Sequence, residues 1–247
     1  MLKPRKQVII TVTLAATLIL VLILIGPSTQ RSFFYPKPGV LPVTVGESME
    51  VLLTRLQAAL DKDAPHVTQS LQPGLSDEQI AALESQGGFR LSDDLRALYR
   101  WRNGIPTNST LWFIPGHRWL PLEESVRERI AILENSRSAT YRQRAAFSVF
   151  AGHRKHWVTV LDDGGGDGYF FDPNRTDKEG GAFFYHLGEA GYYVWFPSLR
   201  NFLAGTIEGF ESHVFRVGTN GIHLDEDAER AQQIWNRFGK SNESELR

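Results

Sequence analysis

The chain reads as an α+β protein in which helices pack around a mostly antiparallel sheet, preceded by one transmembrane helix. Three observations carry that reading. An uncharged aliphatic run stands near the front, segments with helical period flank the middle, and a block with period two lies between them. Helices, then clustered strands, then helices define α+β, because an α/β fold would alternate strand and helix throughout.

Residues 1–7 form a short basic N-terminus with Lys3, Arg5 and Lys6. Val8 to Ile25 then reads VIITVTLAATLILVLILI. At about 1.5 Å per residue such a helix comes close to crossing a hydrocarbon core of about 30 Å. A buried soluble helix would show a polar stripe, and here only Thr11, Thr13 and Thr17 interrupt the run. A cleaved signal peptide is the rival, but its apolar region spans about 7 to 15 residues, and no A-x-A-like site follows Ile25. Only Arg31 and Lys37 follow closely, so the positive-inside bias places the N-terminus in the cytoplasm and the rest outside, in a periplasm or extracellular space. Residues 26–46 carry Pro27, Pro36, Pro38 and Pro42 and read as an extended tether.

The globular part is expected over 47–240, with 241–247 as a tail. Ser48 can cap a helix whose Leu52, Leu56, Ala59 and Leu60 share a face, ending before Pro65. Ser76 and Gln79 form a capping box ahead of Ile80 and Leu83, and Gly87-Gly88 stops that helix. Ser92 starts a third, through Leu95, Leu98 and Tyr99, which Asn103-Gly104 can end in the left-handed conformation. Pro121 opens a fourth, with Val126, Ile130 and Leu133 inward and Arg127, Glu128 and Arg129 wet. Aromatic and β-branched runs suggest strands near Phe147 to Phe150, Trp157 to Leu161, Tyr169 to Phe171 and Ala182 to Leu187. Short turns between them imply antiparallel pairing. Pro197-Ser198 begins a helix with Leu199, Phe202, Leu203, Ile207 and Phe210 on one side, and a last one after Leu224 carries Ala231, Ile234 and Trp235.

Composition removes several chemistries. Lys plus Arg number 27 against 28 Asp plus Glu, a net charge of -1, so the basic footprint of a nucleic-acid binder is missing. With Cys at 0, no disulfide, thiolate zinc site or cysteine nucleophile is available.

The most conspicuous loop is Asp162-Asp163-Gly164-Gly165-Gly166-Asp167-Gly168, with Asp172 beyond it. As a calcium loop it fails at Gly165 and Asn174, where ligands belong, so it reads as a flexible turn with its carboxylates in water. His153 and His156 fall on opposite faces of a strand, and His117 sits in a loop without an identifiable base. Gly239-Lys240-Ser241 lacks the first glycine of a phosphate loop, and GxSxG and GxGxxG are absent. Neither a cofactor nor a metal is expected, and no small-molecule substrate. Of the six tryptophans most should be core, while Trp112 and Trp119 bracket a loop where aromatic rings can also anchor a partner.

Taken in order, these features resemble a known family. Gly74 to Ile105, with Leu91-Ser92-Asp93-Asp94-Leu95 and Tyr99-Arg100-Trp101-Arg102-Asn103-Gly104, is similar to the opening helices of the Smi/Knr domain of the SUKH superfamily. Trp119-Leu120-Pro121-Leu122 and Trp157 to Gly168 continue the resemblance, which spans roughly Leu71 to Phe215. It departs in having Ser92 where proline is common, and in the membrane segment. The resemblance implies an α+β fold and a non-catalytic protein-binding role. Bacterial members look like immunity proteins that neutralise secreted toxins, whereas fungal relatives are regulatory scaffolds linked to cell-wall synthesis. For an immunity role, an acidic surface bearing aromatic rings would meet a basic toxin. The candidate partner-binding residues are Trp112, Trp119, Asp162, Asp163, Asp167 and Asp172, and Val8 to Ile25 would contact the bilayer. An envelope scaffold and a small envelope hydrolase with a dispersed site are the alternatives.

Overall fold

The structure, a computed structural model, describes residues 43–137, 157–173, 183–187 and 191–239. The expected membrane segment Val8 to Ile25, the strand near Phe147 to Phe150, His153, His156 and the tail 241–247 lie outside them. Among the described residues no helix is long and apolar enough to cross a membrane. Within this part the expected α+β fold is present.

Each of the first helices begins where a side chain can satisfy its free amides. Ser48 accepts from Val51 N–H at the head of α1 (Met49–Asp63), and Ser92 does the same for Leu95 at the head of α4 (Asp93–Trp101). Between them lie the short α2 (Pro65–Ser70), absent from the sequence reading, and α3 (Asp77–Gly87). Ser76 and Gln79 form the reciprocal capping box of α3, and Gly88 closes it.

The sheet runs β1-β2-β3-β4-β5, every neighbouring pair antiparallel. Its strands are β1 (Arg118–Trp119), β2 (Val158–Asp162), β3 (Gly168–Phe171), β4 (Phe183–Leu187) and β5 (Gly191–Phe196). Strands β1 and β5 are additions to the expected set. The helix α5 (Leu122–Ser136) packs beside α3 and β2, while α6 (Leu199–Glu211) packs against α1 and α7 (Ala228–Phe238). A second, unforeseen hairpin joins β6 (Phe215–Val217) to β7 (Leu224–Glu226) between those last helices. Phe196, Phe202, Phe215 and Trp235 fill the centre there, with Phe202 and Trp235 stacked at 6.1 Å.

Val43, inside the expected tether, is already bonded to the folded domain. Val43 N–H donates to Arg237 O at 2.8 Å, and the buried Asn201 donates from Nδ2 to Val43 O at 2.8 Å and to Phe238 O at 3.2 Å. One amide thus fastens Val43 to the end of α7.

Two sequence expectations need correction. The Asn103-Gly104 pair does not supply the left-handed cap of α4: Arg102 is the cap, with extended backbone. Asn103 instead works on a distant helix. Pro121 offers α5 no side-chain cap, so Asn103 Oδ1 accepts from Leu122 N–H at 2.9 Å while its Nδ2 donates to Glu123 at 2.8 Å. Gly104 (φ 65) follows, and a Cβ there would come within 2.7 Å of the Trp119 and Leu120 backbone. Ile105 N–H then donates to Trp119 O, and the buried Tyr99 hydroxyl donates to Leu120 O. Burial pushes the Tyr99 hydroxyl up to about 12, so it stays a donor.

The second correction concerns Arg129, which is buried rather than wet. It donates from Nε to Gly87 O at 3.0 Å and from Nη1 to Trp157 O at 3.2 Å, and lies 5.5 Å from the Phe89 ring. Periodicity measured from Val126 misplaced it because a third surface, the α3 terminus, covers that side of α5.

Candidate functional site

At one end of the sheet two loops meet. Because β1 and β2 pair antiparallel with Arg118 opposite Asp162, the segment before β1 lies beside the turn after β2. Arg118 braces both. Its Nη1 donates to Thr107 O at 2.7 Å, and its Nη2 faces the Asp162 carboxylate at 3.3 Å. Burial raises the Asp162 carboxyl above its ordinary range, against the pull of this guanidinium.

The acidic turn is more built than a flexible loop in water. Asp163 Oδ1 accepts the amides of Gly165 at 2.7 Å and Asp167 at 3.0 Å, and Asp163 N–H donates to Asp167 O. Gly164 and Gly166 (φ 78 and 109) give the backbone the positive angles this closure needs. Thus Asp162 and Asp163 are largely occupied in shaping the turn. Among the described residues no three His, Asp or Glu side chains converge as a metal would require.

Trp112 is half-buried, its ring 4.8 Å from that of His223 in the loop between β6 and β7. Ile222, 46% exposed, stands beside His223 in sequence. Phe113 N–H donates to His117 O, so Trp112 enters the tight turn that leads into β1. His117 lies edge-on to Tyr169 at 5.2 Å.

Two candidates do not belong to this rim. Trp119 is only 1% exposed and sits among Tyr99, Trp101 and Phe113 at 5.8, 6.0 and 5.3 Å, so it is core and offers a partner no surface. The strand alternation of β1 sends Arg118 outward and Trp119 inward. Asp172 follows the far end of β3 from the acidic turn, where its charge acts on Arg129 instead. The structure therefore gathers Asp162, Asp163 and Asp167 in one turn that Arg118 ties to Thr107, sets Trp112 against His223, and leaves Trp119 and Asp172 elsewhere. Arg118, Ile222 and His223 are rim residues that no sequence signal singled out, since contacts so distant in sequence leave no local pattern.

A family model described as the SMI1 / KNR4 family (SUKH-1) matches residues 74–205, more than half of the chain. The match takes in the Asn103 junction and the sheet and stops within α6, before β6, β7 and α7. No curated protein matches the chain.

Proposed function

The chain belongs to the SMI1 / KNR4 family (SUKH-1), and from that premise we propose that it is a non-catalytic protein-binding domain, anchored through Val8 to Ile25, which neutralises a toxin. Supporting this reading are two surface features, the half-buried Trp112 with its ring 4.8 Å from that of His223 and the acidic turn closed by Asp163 and Asp167. An aromatic anchor beside carboxylates suits a basic protein surface, because charge complementarity raises the association rate while stacked apolar area supplies affinity.

A second reading follows from the positive-inside bias. A domain facing outward could not meet a nuclease in the cytosol, so the partner would be an envelope-acting toxin or, alternatively, a component of envelope synthesis. A small envelope hydrolase with a dispersed site is the remaining alternative.

Crosslinking of the membrane-extracted full-length protein in its native cells, read by mass spectrometry, tests the proposal. A single toxin-like protein recovered in stoichiometric amount, lost on Trp112→Ala, is the expected result. Recovery of envelope-synthesis proteins would favour the scaffold, and hydrolytic turnover by the purified chain would overturn the binding role.

A further inference from the structure

Asparagine is followed by glycine at two places in the chain, Asn103 and Asn220, and the fold puts them in opposite surroundings. The pair carries a chemistry of its own. Glycine has no side chain to shield its amide nitrogen, so that nitrogen can reach the carboxamide carbon of the asparagine before it and close a cyclic imide. The reaction needs water around the pair and room for the ring.

At Asn103 both requirements fail. Its side chain is buried at 4% exposure, Oδ1 and Nδ2 are both bonded, and a single carbon added to Gly104 would meet the Leu120 backbone at 2.7 Å. At Asn220 both are met. Asn220 and Gly221 are exposed in the turn between β6 and β7, and nothing lies within 4 Å of where a Gly221 Cβ would stand. Asn220 Oδ1 accepts the amides of Ile222 and His223, each at 3.0 Å. Two donors on that oxygen polarise the carboxamide carbon and stand where negative charge develops when a nucleophile adds to it. Gly221 N–H donates to Gly218 O at 2.9 Å, a surface turn bond of the kind that opens at little cost.

We propose that Asn220 is a site of spontaneous modification, a deamidation switch that frees the tip of the hairpin from Trp112. Gly221 N gives its proton to solvent and bonds to Asn220 Cγ; the bond from Cγ to Nδ2 breaks, and that nitrogen takes up a proton and leaves as ammonia. Water then opens the imide. Cleavage between Cγ and Gly221 N leaves aspartate, whereas cleavage between the Asn220 carbonyl carbon and Gly221 N leaves isoaspartate, whose main chain runs through Cβ and Cγ. One water enters, one ammonia leaves, and nothing is oxidised or reduced.

The isoaspartate form adds a carbon to the main chain and moves the free carboxylate away from Cγ, so the bonds to the Ile222 and His223 amides are lost. These two residues tie the tip to its surroundings. Ile222 O meets His66 Nε2 at 3.1 Å, and the His223 ring lies 4.8 Å from that of Trp112. Gly218 N–H donates to His223 O at 2.7 Å across the same turn, so lengthening the tip displaces His223. The chemistry stands on the turn itself, while its effect on a partner rests on the reading of Trp112 as an anchor.

Incubation of the folded, detergent-extracted full-length chain at pH 8, followed by peptide mapping with mass spectrometry, tests the switch. The same chain unfolded in guanidinium gives the reference rate of each site. Asn220 should convert within about tenfold of its unfolded rate, whereas Asn103 should fall about a hundredfold or more behind its own, because a buried amide reacts only from a locally opened state. Conversion should slow at pH 6, where the Gly221 amide gives up its proton less readily. In the aged chain the His223 amide should lose hydrogen-exchange protection about tenfold while α1 keeps its own. Freshly purified Asn220→Asp, which carries the charge without the added carbon, should retain that protection. Asn220 shielded by the fold as strongly as Asn103 would overturn the reactivity. Isoaspartate formed with His223 protection unchanged, or an equal loss in Asn220→Asp, would overturn the release from Trp112.

Discussion

The junction around Asn103 and the rim around Trp112 are neighbours in sequence, yet they are built on opposite principles. In the junction the side chains of Asn103 and Tyr99 and the backbone they meet are buried and bonded. Asn103, Gly104, Tyr99 and the Trp119-Leu120 backbone interlock so that α4, β1 and α5 can take one arrangement. At the rim the side chains are half-exposed and the loops close on themselves, so sequence can vary there without unfolding the domain. The residues that carry the family resemblance include the junction, from Leu91 to Gly104 and from Trp119 to Leu122, and also Trp157 to Gly168, which takes in Asp162, Asp163 and Asp167 of the acidic turn. The junction's share of that signature reports how the chain folds, whereas Trp112 stands outside the motifs that carry the resemblance.

Substitutions in the two regions should therefore separate sharply, and the junction should give the largest losses. Gly104→Ala forces a Cβ against backbone at positive φ and is expected to cost about 3 kcal/mol or more in urea unfolding. A cost under about 1 kcal/mol would break the contrast. Asn103→Ala strands the buried Leu122 amide and is expected to lose about 2–3 kcal/mol. Asn103→Asp should recover part of that, since it keeps the acceptor but places a charge beside Glu123.

Glu226→Gln sharpens the comparison through pH. Burial pushes the folded carboxyl up to about 7 from an ordinary 4.5, so the folded chain holds the extra proton between those values and stability falls as pH rises across them. Removing the charge should stabilise the protein by about 1–2 kcal/mol at pH 8, allowing for solvent screening, and change little below pH 4.5. Equal thermal shifts at both pH values would show that the carboxyl is not desolvated.

The smallest effects on stability belong to the rim. Trp112→Ala and Asp167→Asn should each shift unfolding by about 1 kcal/mol or less, because neither side chain is fully buried. Against the crosslinked partner, Trp112→Ala should weaken binding by about tenfold or more, and Asp167→Asn should slow association at low salt with little change at high salt. A rim variant that unfolds the domain, or one that leaves affinity at low salt untouched, would remove the distinction between the two regions.

How much of this was legible follows from the range of each interaction. The caps at Ser48, Ser76, Ser92 and Ser198 are contacts within three residues, and all stood where side-chain chemistry and periodicity placed them. Three of the expected strands lie in the sheet. The two-residue β1 and the three-residue strands β6 and β7 were missed because runs so short show no period. Among candidate site residues, the acidic turn was legible as a turn, but its internal bonding was not.

The sequence by itself determined the α+β order, the capped starts of several helices and membership in the SMI1 / KNR4 family (SUKH-1), because local propensity, capping and an ordered set of short motifs suffice for those. Only the tertiary structure decided that Trp119 is core while Trp112 is surface, that Asn103 caps α5 instead of ending α4, and that Arg129 is buried. Each depends on which distant segment covers a given face. Burial is a property of the neighbours a residue acquires on folding, and a single chain read in order does not name them.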